Sequence, residues 1–260
     1  MFENGVVELS GLFCFGLLIL SQCFETILSD LFVVVVGNLL AEWLSKTGLF
    51  GYRAVITMGD TVVHVDEVSQ TRNIYESEAG SYIEKYSTES VARLYGDPFF
   101  DALESACSGD TAQLLDIGCG PGPDVDVFAA AGHDVTGLDI TQSFLREGTK
   151  RVSGAEFVCG DMRSLPFQDN SFDGIWASAS FHHIPRSAAT QTLRDWHRVL
   201  RPAGTLFIAV KRDEQLDDDS TNRHFEYYQA DAFRTLLNSV GFELNTARTK
   251  DKWVSAVATA

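Results

Sequence analysis

The stretch LLDIGCGPGPD, Leu114 to Asp124, decides how this chain folds. Leu114, Leu115 and Ile117 are the apolar residues of a buried strand, and Gly118, Gly120 and Gly122 follow at every second position. Glycine there lets the backbone take left-handed angles and lets a ligand lie directly against it. The helix that begins near Asp124 aims free N–H groups and the positive end of its dipole into the turn. A second acid closes the next strand: in HDVTGLDI, Asp139 lies 17 residues beyond Gly122. A carboxylate at the tip of the second strand of a doubly wound sheet is placed to hold a ribose diol. The pattern is that of a nucleoside-cofactor site, with Cys119 and Ile140 beside its two acids.

The glycine spacing narrows the cofactor. A dinucleotide fingerprint reads G-x-G-x-x-G, a turn long enough to cradle a pyrophosphate. Here G-C-G-P-G is one residue shorter, and Pro121 and Pro123 stiffen it. Asp116, Gly118, Gly120 and Gly122 resemble, position by position, motif I (D-x-G-x-G-x-G) of the class I S-adenosylmethionine-dependent methyltransferases. The resemblance implies that the turn receives an amino-carboxylate tail instead of phosphates.

Further motifs extend the likeness over about residues 66–260, most closely to the diverse type 11 group that modifies small molecules, including quinone and lipid precursors. AEFVCGDM ends a third strand in Asp161 and Met162, where the family places its adenine contact, and Leu165 to Phe167 also match. SFDGIWASASFHHIP resembles motif IV: a fourth strand from Phe172 to Ala177, then a loop from Ser178 to His183 over the methionine end. HRVLRPAGTLFI resembles the family's L-R-P-G-G-x-L segment, with Ala203 replacing one glycine. RHFEYYQADAFRTLLNSVGFE resembles the closing unit, whose first part faces the acceptor; Arg223, Phe225 and Tyr227 are therefore candidate substrate contacts. In the N-terminal cap, Tyr75, Ala79 and Tyr82 form a Y-x-x-x-A-x-x-Y pattern similar to caps that cover the cofactor. That implies a cofactor role for Tyr82 and a substrate-side role for Tyr75, against the plain alternative that both pack a helix on the sheet.

His182 and His183 invite a base or metal reading. Adjacent side chains diverge on most backbones, and no cluster of acids or cysteines accompanies them, so no metal is expected. His183 is the candidate to line the site and act as base, and His182 a second substrate-side candidate. Methyl transfer asks little of the protein beyond holding a nucleophile in line about 3 Å from an electrophilic methyl, and orientation contributes roughly 7–11 kcal/mol to such a step.

Strand and helix alternate through the core, which implies an α/β, Rossmann-like, doubly wound and mostly parallel sheet. With the family's closing strands the expectation is seven strands, helices on both faces, and a helical N-terminal cap. The divisions read as 1–57, an apolar segment; 58–108, the cap; and 109–260, the core. The uncharged run Leu9 to Phe24 is 16 residues long, and a second runs from Leu31 to Ala41. A spanning helix needs about 20 apolar residues, so neither qualifies alone. Three accounts stand for this segment: sequence upstream of a natural start at Met58, a membrane association through residues 9–44, or a docking helix. If it spans, Lys46 and Arg53 keep the catalytic part cytoplasmic.

Acidic residues outnumber basic ones 36 to 20, giving a net charge of −16. Such a surface repels phosphate backbones, which argues against nucleic acid as partner, and suits a salty cytoplasm. Five cysteines without a C-x-x-C pair suit an intracellular protein. The expected activity is methyl transfer from S-adenosylmethionine to a small-molecule acceptor. A cofactor-binding scaffold at a membrane and, behind it, an NAD-dependent oxidoreductase are the rival readings.

Overall fold

The computed structural model describes residues 56–58, 61–63, 66–106, 109, 111–212 and 221–260. Of the apolar segment read over residues 1–57, all but Ile56 and Thr57 lies outside the described residues, as do residues 213–220. Two compact units divide between His64 and Val65. In the first, Ile56–Met58 pairs antiparallel with Thr61–Val63.

The second unit carries the site. Its sheet has seven strands: β1 (Gln113–Ile117), β2 (Asp134–Asp139), β3 (Glu156–Cys159), β4 (Phe172–Ser178), β5 (Leu200–Lys211), β6 (Glu243–Lys250) and β7 (Trp253–Thr259). Their spatial order is β3-β2-β1-β4-β5-β7-β6. The first five run parallel, and β7 lies antiparallel to both β5 and β6. The chain reverses its winding between β1 and β4, so the loops leaving their carboxyl ends diverge and open a crevice, the usual ligand site of such sheets.

Helices cover both faces: α1 (Glu67–Ser77), α2 (Ala79–Tyr86), α3 (Val91–Tyr95), α4 (Asp97–Ala106), α5 (Pro123–Ala130), α6 (Gln142–Arg151), α7 (Arg186–Val199) and α8 (Ala230–Ser239). One face packs Leu193 and Trp196 of α7 and Phe233 and Leu237 of α8 with Ile117, Ile175 and Ile208. The other packs Phe99 and Leu103 of α4 and Phe128 of α5 with Leu114, Trp176 and Phe207. Burial on both faces explains why β4 reads as a continuous apolar run instead of an alternating one. The sheet and its flanking helices are the Rossmann-like arrangement expected from the alternation.

One local expectation needs refinement. RPAG reads as a turn before a strand at Thr205, but the strand is continuous from Leu200 to Lys211. Leu200 pairs with Phe172, and the Ala203 N–H donates to the Ala260 carbonyl at 3.0 Å, so long-range pairing pulls the turn into the ladder. Ala203 is held there at φ +64°, a conformation that costs a non-glycine residue about 1–2 kcal/mol. Ala203→Gly removes that strain at the expense of backbone entropy. The expected result is a net stabilisation of about 0.5–1 kcal/mol, read as a higher urea midpoint at unchanged slope.

Candidate active site

The glycine turn is built by its glycines' left-handed angles. Gly118, Gly120 and Gly122 all have positive φ, at 74°, 55° and 82°. Gly118 N–H donates to the Leu138 carbonyl (2.7 Å), and Gly120 N–H donates to Asp139 Oδ2 (2.9 Å). Asp139 Oδ1 accepts from the Thr141 N–H (2.7 Å). The second strand's acid thus fixes the turn, with the Thr141 hydroxyl and the Ile140 N–H also directed at its carboxylate. Burial, opposed by these donors, lifts the Asp139 carboxyl above the usual carboxylate range.

Asp116 ends β1 almost buried, 3% exposed, and lines the crevice. Among the described residues no donor reaches its carboxyl. Burial first, then the charges of Asp124 and Asp139, push its pKa well above the ordinary value. Asp124 has the opposite surroundings. Its Oδ1 accepts from Ser90 Oγ (2.6 Å) and the Ala92 N–H (3.0 Å), and its Oδ2 from Trp176 Nε1 (2.8 Å). Ser90 in turn caps α3 by accepting from the Arg93 N–H at 3.0 Å. One carboxylate therefore ties the glycine turn to the helical cap and to the middle of the sheet.

The crevice is a cavity of about 500 Å³, well within the range of cofactor sites. Asp116, Gly118, Cys119 and Gly120 line it, as do Ser178, Tyr75 and Tyr82, and His182, Arg223 and Phe225. Residues from four separate stretches of sequence therefore converge. Gly122, Asp139, Ile140, Asp161, Met162, His183 and Tyr227 stand outside this lining; Asp139 reaches it only through its bond to the Gly120 N–H. Asp161 follows β3 and is held by Arg163, whose Nε donates to Oδ1 and Oδ2 at 3.1 and 2.9 Å and whose Nη2 donates to Oδ2 at 2.6 Å. Met162 packs against the core beside α7, and its carbonyl accepts from Trp196 Nε1 (2.9 Å). The Tyr227 carbonyl accepts from Arg186 Nη2 at 2.8 Å.

The strap from Thr221 to Tyr228 closes one side. His224 N–H donates to Thr71 Oγ1 (2.9 Å), Glu226 N–H to the His182 carbonyl (2.7 Å) and Tyr228 N–H to the Lys211 carbonyl (2.9 Å). These three bonds pin the strap to α1, to the short 3₁₀ turn Phe181–His183 and to the end of β5, which sets Arg223 and Phe225 over the cavity.

The two histidine rings do not diverge as their adjacency implies: the 3₁₀ turn Phe181–His183 holds their centroids 4.6 Å apart, edge to face. His183 Nδ1 is 2.8 Å from the His224 carbonyl, which can only accept, so that nitrogen carries the proton. Its Nε2 must then accept from the Tyr75 hydroxyl, 2.9 Å away. Burial, reinforced by the charges of Arg223 and Lys211, lowers the His183 pKa to about 4. His183 stands outside the lining and packs against three residues within it: Tyr75, whose hydroxyl it meets, His182 and Phe225. His182 faces the cavity itself, and burial drives its pKa well below 6.5.

The His183 shift has a stability consequence. Between pH 6.5 and about 4 the unfolded chain binds a proton at this site that the folded chain does not, so stability falls as pH falls through that window. His183→Gln keeps an acceptor for Tyr75 and a donor for the His224 carbonyl but cannot titrate. The stability difference between wild type and variant is expected to shift against the wild type by about 3 kcal/mol at most from pH 7 to pH 4. Urea denaturation at several pH values measures it.

Some site residues carry no signal in their neighbourhood of the sequence. Phe144, on α6, packs its ring 4.9 Å from that of Tyr82 and 5.7 Å from that of Tyr75, closing an aromatic roof. Lys252 and Trp253 reach the cavity from the β6–β7 turn. Lys211 was legible in principle, because it ends the fifth strand on the side where ligands bind.

The fold and the crevice define a class, a Rossmann-like domain with a nucleoside-cofactor turn. Residues 115–208 match the family model described as a methyltransferase domain. This core stretch resembles the S-adenosylmethionine-dependent methyltransferases. A ubiquinone/menaquinone biosynthesis C-methyltransferase of Roseobacter denitrificans is 29% identical over 195 residues, 71% of this chain and 72% of that protein. A malonyl-[acyl-carrier protein] O-methyltransferase of Erwinia pyrifoliae is 31% identical over 118 residues, 45% of this chain and 44% of that protein. Across the first three curated relatives, the match spans 37%, 44% and 40% of their length. The 1,6-didemethyltoxoflavin-N1-methyltransferase of Burkholderia thailandensis, solved with S-adenosylhomocysteine, shares the fold: TM-score 0.58, 20% identity, 81% of this chain and 96% of that one. Among the described residues no group of three or more His, Cys, Asp or Glu could hold a metal ion, and no helix is long and apolar enough to cross a membrane.

Proposed function

We propose that this protein transfers a methyl group from S-adenosylmethionine to a small-molecule acceptor. The observation that carries the reading is the pairing of two buried acids, Asp116 and Asp139, on either side of a glycine turn whose backbone faces the cavity. Adding a Cβ at Gly118 would bring it 2.3 Å from Ser180 Cβ, so the turn leaves no space for a side chain beneath a ligand. An acid with no donor among the described residues suits an ammonium group, so Asp116 is the partner for the amino end of the cofactor. Asp139, at the tip of the second strand beside the turn, would accept from the ribose hydroxyls, with Ile140 beside them. Gly118 to Gly122 receive the carboxylate, with Cys119 and Ser178 flanking, and Tyr82 covers the sugar. Met162 supplies an apolar side to the adenine. Asp161 would accept from its exocyclic amine while still holding Arg163.

When bound, S-adenosylmethionine supplies an electrophilic methyl carbon: the acceptor–carbon bond forms as the carbon–sulfur bond breaks, and the electron pair stays on sulfur. The chain's own residues orient the acceptor and exclude water. Tyr75, fixed by His183, and His182, Arg223 and Phe225 form the acceptor wall, with Tyr227 on the same strap as Arg223 and Phe225. A buried neutral His182 leaves an uncharged surface beside the reacting groups. The relatives that act on quinones and acyl thioesters, and the toxoflavin methyltransferase, support a small acceptor. The acidic surface supports a cytoplasmic protein that avoids nucleic acid, and residues 9–44 remain the candidate for any membrane association.

Asp139→Ala is expected to weaken S-adenosylmethionine binding by about 1.5–3 kcal/mol, the scale of charge-assisted hydrogen bonds. Calorimetric titration of wild type and variant, with folding checked by circular dichroism, reads the difference. Equal affinities would remove Asp139 from the site.

A further inference from the structure

The sheet ends in two edges that differ in kind. On one side β3 offers four residues, Glu156–Cys159; on the other, β6 offers eight, Glu243–Lys250. A short edge strand is one way in which a protein denies an incoming strand its template, and β6 lacks that protection. Its outer rim pairs with no described strand, and of its residues only Leu244 is even half-buried.

The ladder between β6 and β7 sets which backbone groups face outward. Asp251 and Lys252 form a two-residue turn, so the flanking pair Lys250 and Trp253 exchange hydrogen bonds. Bonded and non-bonded pairs alternate along an antiparallel ladder, so Thr249 and Ala247 turn their N–H and C=O groups away from β7. Asn245 is the extra residue of a bulge and pairs with nothing on β7. The paired residues of β6 are therefore Glu243, Leu244, Thr246, Ala247, Arg248, Thr249 and Lys250, with Ala247 in the middle. A two-fold axis at Ala247 lays a second copy of β6 antiparallel to the first in a single register. Leu244 of each copy then opposes Thr249 of the other, Thr246 opposes Arg248, and Glu243 opposes Lys250. Moving the axis one residue to Arg248 would set like charges directly opposite each other, which is destabilising.

Charges on an edge strand ordinarily ward off a second strand. Those of β6 are ordered, with the acid at its start and the bases at its end, so an antiparallel copy of the same strand meets Lys250 with opposite sign at both junctions. An exposed apolar pair adjoins the same edge. Leu94 and Tyr95, at the end of α3, are 71% and 48% exposed, and they are the exposed large hydrophobic residues among those described. The Tyr95 hydroxyl lies 3.4 Å from Lys250 Nζ, and its ring centroid 5.2 Å from the same atom. In the two-fold arrangement this pair stands beside each Lys250–Glu243 junction.

We propose that β6 is the edge through which two copies of this chain pair, antiparallel about Ala247, to join their sheets into one. The net charge of −16 on each copy opposes the approach, and one strand edge with a small apolar flank is at the low end of interface sizes. The dimer is therefore a concentration-dependent one. It does not depend on the methyl-transfer reading.

Sedimentation equilibrium of the full chain over a range of concentrations tests this, at about 0.15 M salt, where repulsion is screened beyond about 8 Å. The mass is expected to rise from that of a monomer to that of a dimer. Glu243→Lys and Lys250→Glu each place like charges at both junctions and are each expected to weaken the dimer at least tenfold. An equimolar mixture of the two variants restores opposite charges at both junctions, and is expected to form a heterodimer within threefold of the wild-type affinity. In hydrogen exchange, the Ala247 and Thr249 amides of the wild type are expected to gain protection as concentration rises. A monomer at every concentration, a dimer that neither substitution weakens, or a mixture that stays monomeric overturns the proposal.

Discussion

Gly118→Ala is expected to lose about 2–4 kcal/mol of stability and more than tenfold in cofactor affinity. Two separate costs combine. The residue sits at φ +74°, which strains any side chain by about 1–2 kcal/mol. The new Cβ would also lie 2.3 Å from Ser180 Cβ, and Ser180 has little freedom to retreat, because its Oγ donates to the Ile117 carbonyl at 2.7 Å. Relief requires the turn or the loop after β4 to move, and both line the cavity. Gly132→Ala separates the two costs. That glycine has φ +92° with nothing within 4 Å of a new Cβ, so only the backbone cost of about 1–2 kcal/mol applies and cofactor binding is expected to be unchanged. Urea denaturation and calorimetry on the two variants read both quantities. Equal losses in the two would mean that the close approach to Ser180 is not tight.

Asp124→Ala is expected to destabilise the fold by about 3–5 kcal/mol, the scale of breaking a buried charged network by removing one partner. The substitution strands a hydroxyl, a backbone N–H and an indole N–H, all now donating to one carboxylate within 3.0 Å. Removing a negative charge from beside Asp116 returns part of this, since Asp124 is one of the charges that raise its pKa. Asp124→Asn keeps acceptor oxygen for one side of the network and is expected to lose about half as much. The same urea series reads these values. Hydrogen exchange adds a more specific signature: the amides of α3 are expected to lose protection ahead of those of β1, because Ser90 and Ala92 carry the tie. Uniform loss across both would show that Asp124 supports the core as a whole instead of linking cap to turn.

The parts of this fold that the sequence reveals are those whose causes are local. Gln113–Ile117 contains the strand read at Leu114, Leu115 and Ile117 because that apolar run ends in glycine. Gln142–Arg151 follows from its polar start and helical spacing. The glycine turn is legible because its angles demand glycine, and Asp139 because strand ends present side chains to the crevice. Long-range pairing is not legible: Ala203 reads as a turn residue and becomes part of a strand only because Ala260 and Phe172 lie opposite. Asp124 reads as an ordinary acid in the first turn of a helix, and its three donors come from residues between 32 and 52 positions away.

The site divides in the same way. Asp116 and the glycines are contiguous and periodic, whereas the acceptor end is assembled from a strand terminus, a strap and a β-turn far apart in the chain. Lys211, Lys252 and Trp253 therefore have no shared pattern to read. The histidine pair is an intermediate case. Their adjacency implies divergence, which the 3₁₀ turn does not give, and only the 2.9 Å contact of Tyr75 with His183 shows which of them is set behind the wall.

The central claim is that the crevice between β1 and β4 holds the nucleoside and amino-acid parts of S-adenosylmethionine. Isothermal calorimetric titration of S-adenosylmethionine and S-adenosylhomocysteine into the full chain tests it most directly. The account predicts saturable one-to-one binding of both, the demethylated product binding at least as tightly, and at least tenfold weaker binding to Asp139→Ala. A folded protein that takes up neither compound, or one that binds NAD in their place, would contradict it.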